Sequence, residues 1–221
     1  MSIDSTPAFP IVISDEVRRR VPTLFVETCL ALDVRVKPSP AGQSQAIDQV
    51  IAQWAGTLES TLDTLPLIQH YRQMAMDLGA DPRKTIPAVE NLLRRTVLRG
   101  RFPRINSVVD AANLVSLRNL IPIGIFDFDA IVDGITMTLA TEVDEFVPIG
   151  QEKPTRIPPG TAIFKDAVRI FSAVGSRDAS RTMITGGTKR VLAVSWGKAG
   201  LKPETVAAVL DEAREEMLRG D

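Results

Sequence analysis

The chain carries one cysteine, one histidine and one tyrosine in 221 residues, and each scarcity removes a class of chemistry. With Cys29 alone no internal disulfide forms, which fits a reducing compartment. A zinc site needs more cysteine and histidine ligands than Cys29 and His70 supply. A histidine-dependent triad would have to use His70. Net charge is −1, so there is no global electrostatic footprint for nucleic acid, and any such site must be a local patch. No apolar run approaches the length of a membrane-spanning helix, and the start, MSIDSTPAFPIVIS, lacks the basic region of a signal peptide. Gly186–Lys189 (GGTK) is too short for a phosphate-binding loop. The expectation is a cytoplasmic protein with no cofactor, no metal and no membrane or DNA partner.

What is present is an ordinary globular composition, 44% apolar and 24% charged. Residues 1–10 read as a loose tail, Phe9–Ser14 as a short strand, and Ser14 as the cap of a helix from Asp15. Residues 23–36 read as a buried strand. Residues 44–63 and 67–78 have helical spacing, the second closed by Gly79. A third helix starts at Thr85 or Pro87. After Gly100 come short strand-like runs at 135–140, 145–149, 161–165, 169–174 and 191–195, separated by Pro and Gly. Pro203 opens a final amphipathic helix. Helices first, strands next and one helix last predict an α+β fold, a helical N-terminal part packed on a strand-rich mixed sheet. The segments divide as 1–80, 81–200 and 201–221, acting as one monomeric unit.

The most informative stretch is 101–129, RFPRINSVVDAANLVSLRNLIPIGIFDFD. Ile105, Val108, Val109, Ala112, Leu114, Val115 and Leu117 form an apolar set. Asn106, Ser107, Asp110, Asn113 and Ser116 are threaded between them. Buried polar groups must be hydrogen-bonded, so the pattern predicts a polar-lined pocket. Asn106 and Ser107 are expected at the ligand, Asp110 and Asn113 in local structure.

These residues also carry a resemblance. RKTIPAVENLLRR (83–95), RINSVVDAANLVSL (104–117), PIGIFDFD (122–129), FVPIG (146–150) and SRDASRTMITGGTKRVLAV (176–194) occur in this order. Together they resemble the editing, tRNA-binding module of the phenylalanyl-tRNA synthetase β-subunit, and more closely the freestanding proteins built from that module. The resemblance runs from about Asp81 to about Ser195. It implies a trans-editing deacylase that hydrolyses the ester of a mischarged tRNA. It places Asn106, Ser107 and Gly124 in the catalytic pocket. The synthetase module carries a histidine where this chain has Gly124. It also carries a glutamate on the strand matching Val191–Trp196, where Val194, Ser195 and Trp196 offer no carboxylate. Freestanding members share the glycine pattern and act on unusual residues such as the arginine analogue canavanine, so canavanyl-tRNA(Arg) is the candidate substrate.

Asp127 and Asp129 would share one face if they lay on a strand, and with Asp178 they could receive a cationic group. Ser176, Arg177, Asp178 and Thr182 precede the Gly186–Gly187 turn and resemble a pocket wall. Arg94, Arg95, Arg99, Arg101 and Arg104 fall within eleven residues. Such a cluster pairs with phosphate, or serves as a solvated helix end that complements the dipole. Lys189 and Arg190 form a second basic patch. Two other classes stay open, a non-catalytic tRNA- or RNA-binding module and a small amino-acid sensor.

Overall fold

The computed structural model of the chain describes residues 9–81 and 83–219. Residues 1–8 of the expected tail lie outside the described residues. Strand β1 (Ile11–Ile13) leads to helix α1 (Asp15–Arg20), whose first turn is capped by Ser14 accepting from the Val17 N–H. Strand β2 (Phe25–Ala31) follows, then helices α2 (Ala41–Gln53), α3 (Glu59–Thr64), α4 (Pro66–Asp77), α5 (Ala88–Arg99) and α6 (Ser107–Asn119). Strands β3 (Gly124–Asp127), β4 (Ile135–Leu139), β5 (Glu145–Phe146), β6 (Thr155–Arg156), β7 (Ala162–Lys165), β8 (Ile170–Ala173) and β9 (Val191–Gly197) precede helix α7 (Pro203–Leu218). The fold is α+β.

The strands make two main sheets. One, ordered β1-β4-β7-β8, is mixed, with β1 parallel to β4 and the rest antiparallel. The other is antiparallel, with β9 between β2 and β3. All seven residues of β2 pair with β9, so a strand near the N-terminus completes a sheet whose centre lies near the C-terminus. α7 packs on β2, β9 and α6, burying Val206, Val209, Leu210, Ala213 and Met217. One large cluster of buried apolar side chains runs from Ile13 to Met217 and joins helices and sheets, with a small second cluster of Cys29, Ala193 and Leu210 under α7. Phe126, Phe171, Phe164 and Trp196 form a chain of ring contacts between the two sheets at 4.9, 6.3 and 5.6 Å. No helix among the described residues is long and apolar enough to cross a membrane.

Three expectations change. The helical run 44–63 is broken, because Gly56 takes a left-handed φ of +77° and α3 restarts the helix at Glu59. The strand at 145–149 shortens to Glu145–Phe146, paired with Thr155–Arg156. It approaches Pro148, which has no N–H to extend a ladder. The polar-threaded stretch is a buried helix, α6. Its amides and hydroxyls fasten the chain to itself, as set out below.

Candidate functional site

Gly124 stands directly opposite Val194 in the β3–β9 ladder, and Phe126 opposite Leu192. Alternation along β9 puts Val194 and Trp196 on the same face as Gly124. Gly124, where the resemblance implies a histidine, is therefore the cross-strand neighbour of Val194, one of the three residues where it implies a carboxylate. A Cβ on Gly124 would lie 3.2 Å from the Phe126 ring, so glycine lets that ring approach the β3 backbone closely.

Over this face lies a small cavity of about 120 Å³. β3 and β9 supply Gly124, Phe126 and Trp196. α4 supplies Tyr71 and Ala75, and the start of α5 supplies Pro87 and Ala88. The end of β8 and the loop beyond it supply Ser172 to Ser176 and Asp178. Thr85 closes one side. The Tyr71 hydroxyl donates to the Trp196 carbonyl at 3.2 Å, which ties α4 to the central strand. Burial pushes this phenol well above its ordinary range.

Asp178 is the carboxyl group among these lining residues. Burial pushes its pKa up to about 6, against the opposing effect of a hydrogen bond with the Ser172 side chain. Its carbonyl accepts from the Ile149 N–H at 2.8 Å, and the Ala179 N–H donates to the Phe171 carbonyl at 2.8 Å. The loop that carries the carboxyl is thus pinned on both sides. Gly175, at φ +84°, has an N–H that makes no hydrogen bond to the described residues. The cavity combines one carboxyl with a raised pKa, small hydroxyls, an available backbone donor and aromatic walls. That set can hold a small polar or cationic group and a water, and can stabilise a developing oxyanion.

Of the residues expected at the site, Gly124, Ser176 and Asp178 line the cavity. The others are engaged elsewhere. Asn106 is the N-cap of α6, accepting from the Val108 and Val109 N–H groups at 3.2 and 2.9 Å. Ser107 is buried, and its hydroxyl accepts from the Lys37 N–H at 3.2 Å and donates to the Arg35 carbonyl at 3.3 Å. Asp110 accepts from the Ile105 N–H and the Ser39 hydroxyl, a structural role in line with expectation. The strand stops at Asp127, so Asp127 and Asp129 do not share a strand face. Asp127 caps a 3-10 turn and accepts from Thr188 at 2.6 Å, and Asp129 pairs with Arg190. Thr182 is buried against the Ala179 carbonyl, and Arg177 donates to the Ile149 carbonyl at 3.3 Å.

The basic cluster also divides. Arg94 is clasped by Glu59, Asp63 and Glu90, so it belongs to an internal ion network that includes Arg72. Arg104 pairs with Asp48 at 2.7 Å. Arg95, Arg99 and Arg101 are exposed and make no side-chain contact with a carboxylate among the described residues. Lys189 is exposed, while Arg190 lies over the Phe128 ring at 5.2 Å in addition to its pairing with Asp129.

Sequence reasoning missed Tyr71, Thr85 and Ser172. They reach the cavity from α4, the loop before α5 and β8, and no local pattern links them.

A family model described as the B3/4 domain matches residues 70–214. Over 87 residues, 39% of this chain, the sequence is 34% identical to the phenylalanine–tRNA ligase beta subunit of Mycoplasma genitalium. The match spans 11% of that protein's length. The structure is similar to an N-terminal fragment of the phenylalanyl-tRNA synthetase beta-subunit from Pyrococcus horikoshii, with TM-score 0.46 and 15% identity. That likeness covers 96% of this chain and 52% of the fragment.

Proposed function

The chain belongs to the B3/4 domain family and is related to that domain of the phenylalanyl-tRNA synthetase β-subunit, and from this premise we propose that it is a trans-acting aminoacyl-tRNA deacylase. The observation that carries the reading is the cavity itself, a small chamber with Asp178 set among aromatic and small side chains. An aminoacyl ester is already activated. Its hydrolysis needs a positioned water, donors for the oxyanion and a pocket that selects the acyl group. In this reading the side chain of the amino acid enters the cavity. The backbone at Gly175 and Gly124 faces the ester, and the neighbouring ribose hydroxyl places the water. Asn106 and Ser107 take no part, since neither lines the cavity, the Asn106 amide oxygen caps α6 and the Ser107 hydroxyl is held by the backbone of Arg35 and Lys37.

Asp178 gives the cavity its preference. A carboxylate in a poorly hydrated chamber favours a cationic partner, which in turn returns its pKa toward the ordinary value. An amino acid with a guanidinium-like side chain fits that requirement, and canavanine attached to tRNA(Arg) is the candidate. Asp127 and Asp129 are not needed for this role.

The test is deacylation of a panel of mischarged tRNAs by the purified protein and by Asp178→Asn. Hydrolysis confined to one or a few species, with cationic acyl groups losing most in the variant, supports the reading. A panel left at its spontaneous rate, with tRNA still bound, would instead identify a binding module. A protein that binds free amino acid but no tRNA would be a sensor.

A further inference from the structure

A second depression adjoins the cavity, a groove of about 330 Å³. It shares Thr85 and the Ala173–Ser176 wall with the chamber, so one continuous surface leads from groove to cavity. Its floor is made by Phe146, Ile157 and Thr161, all buried. Its rim is basic. Lys84 and Arg156 line it, with the Lys84 side chain 81% exposed. Arg83 stands beside Lys84, and the Arg20 guanidinium donates to the carbonyl of Gly160, next to the floor. The facing acids are Asp81, held by Arg83 at 3.2 Å and lying 4.0 Å from the Lys84 ammonium, and Glu145, opposite Arg156 in the β5–β6 pair. Of the side chains that line the groove itself, Lys84 and Arg156 are basic and Asp81 is acidic, a local positive excess in a chain whose net charge is −1.

The arginines at the end of α5 are poorly placed to serve the same cavity. α5 begins at the chamber wall with Ala88 and runs away from it. At the rise of an α-helix, Arg99 lies about 16 Å farther along the axis.

We propose that the groove holds the single-stranded 3′ end of the tRNA, with its last phosphates on Lys84 and Arg156. This rests on the deacylase reading and supplies its partner's path. The terminal ribose then sits at the threshold formed by Thr85 and Gly175, and the acyl group passes into the chamber beyond. Arg156 offers a planar fork and Lys84 a compact charge, the two ways in which side chains hold phosphodiester anions.

The experiment measures binding of uncharged tRNA, intact or trimmed of its single-stranded 3′ end, to the full chain over a range of salt. Lys84→Ala/Arg156→Ala should bind intact tRNA on the order of tenfold more weakly, with the log K against log salt slope reduced by about 1.4. Wild type should lose a similar factor when the tRNA is trimmed, and on trimmed tRNA the two proteins should bind alike. Lys84→Arg/Arg156→Lys should retain binding. Both positions are exposed, so the fold tolerates the changes. Equal binding of intact tRNA by wild type and the alanine variant would overturn the groove assignment and leave the deacylase reading standing. So would an equal loss on intact and trimmed tRNA. Wild type that binds no tRNA would overturn both.

Discussion

Thr85 closes over Gly175 so tightly that a Cβ on Gly175 would lie 2.4 Å from the Thr85 methyl carbon. The contact forms the threshold between chamber and groove, and glycine's freedom at φ +84° makes it possible. Gly175→Ala therefore meets both a clash and backbone strain, and should cost about 2–4 kcal/mol. Thr85→Ser removes the clashing methyl. Added to Gly175→Ala, it should return part of that loss but not the part due to φ. Urea unfolding of the two single variants and the double variant measures the coupling. Strict additivity would mean that the two residues do not touch in solution.

Asp178 should leave its mark on stability as well as activity. Its carboxyl titrates at about 6 in the folded chain and near 3.8 when unfolded. The folded state therefore binds the proton more tightly. Its contribution is favourable at low pH and fades as pH rises through about 6. Asp178→Asn should raise stability at pH 7.5 relative to pH 4 by about 1–2 kcal/mol, discounted because the residue keeps some solvent contact. Thermal unfolding at the two pH values checks the sign. A variant less stable at pH 7.5 would mean that the carboxylate has a cationic partner in the free protein.

Glu90 behaves in the opposite way. It is 2% exposed and accepts from Arg72 and Arg94, each at 2.7 Å. Burial acts to raise its pKa, and the two guanidiniums outweigh it and hold the carboxyl below its ordinary value. Its contribution is present above the ordinary carboxylate range and is lost as pH falls through and below it. Glu90→Gln should cost about 2–4 kcal/mol near neutral pH and flatten the acid side of the stability profile. Arg94→Ala should show the same defect without a matching change in the salt dependence of tRNA binding.

Asn106→Ala removes the cap of α6. The expected loss is about 1 kcal/mol of stability. Deacylation per folded molecule should stay near the wild-type rate, because the side chain lies away from the chamber. Comparing active-site-normalised rates with the unfolding midpoint separates the two effects. A large fall in rate at unchanged stability would return Asn106 to the reaction centre.

Local signals in the sequence read well where one residue type has one strong use. Ser14 before Asp15, Gly79 after α4 and Pro203 at the head of α7 each occupy the place that their backbone chemistry favours. The α+β class follows from the same signals. The polar residues of 106–113 were harder, because an amide that lines a pocket and an amide that caps a helix look alike until the first helical residue is known. Asn106 directly before an apolar periodic run was the available clue. Asp127 and Asp129 failed for a related reason, since same-face placement requires a strand that continues, and this one turns at Phe128. The chamber was barely legible. Tyr71 and Trp196 are 125 positions apart, and only the tertiary fold joins them through a hydrogen bond.

The indole of Trp196 forms part of the chamber wall and rests against Phe164. The chain has one other tryptophan, Trp54, at the far end of α2. A Trp54→Phe protein would keep a single tryptophan, placed where an incoming side chain must displace water. Occupancy could then be read as a change in emission, with no label attached, and unreactive acyl groups would register as plainly as those that are cleaved.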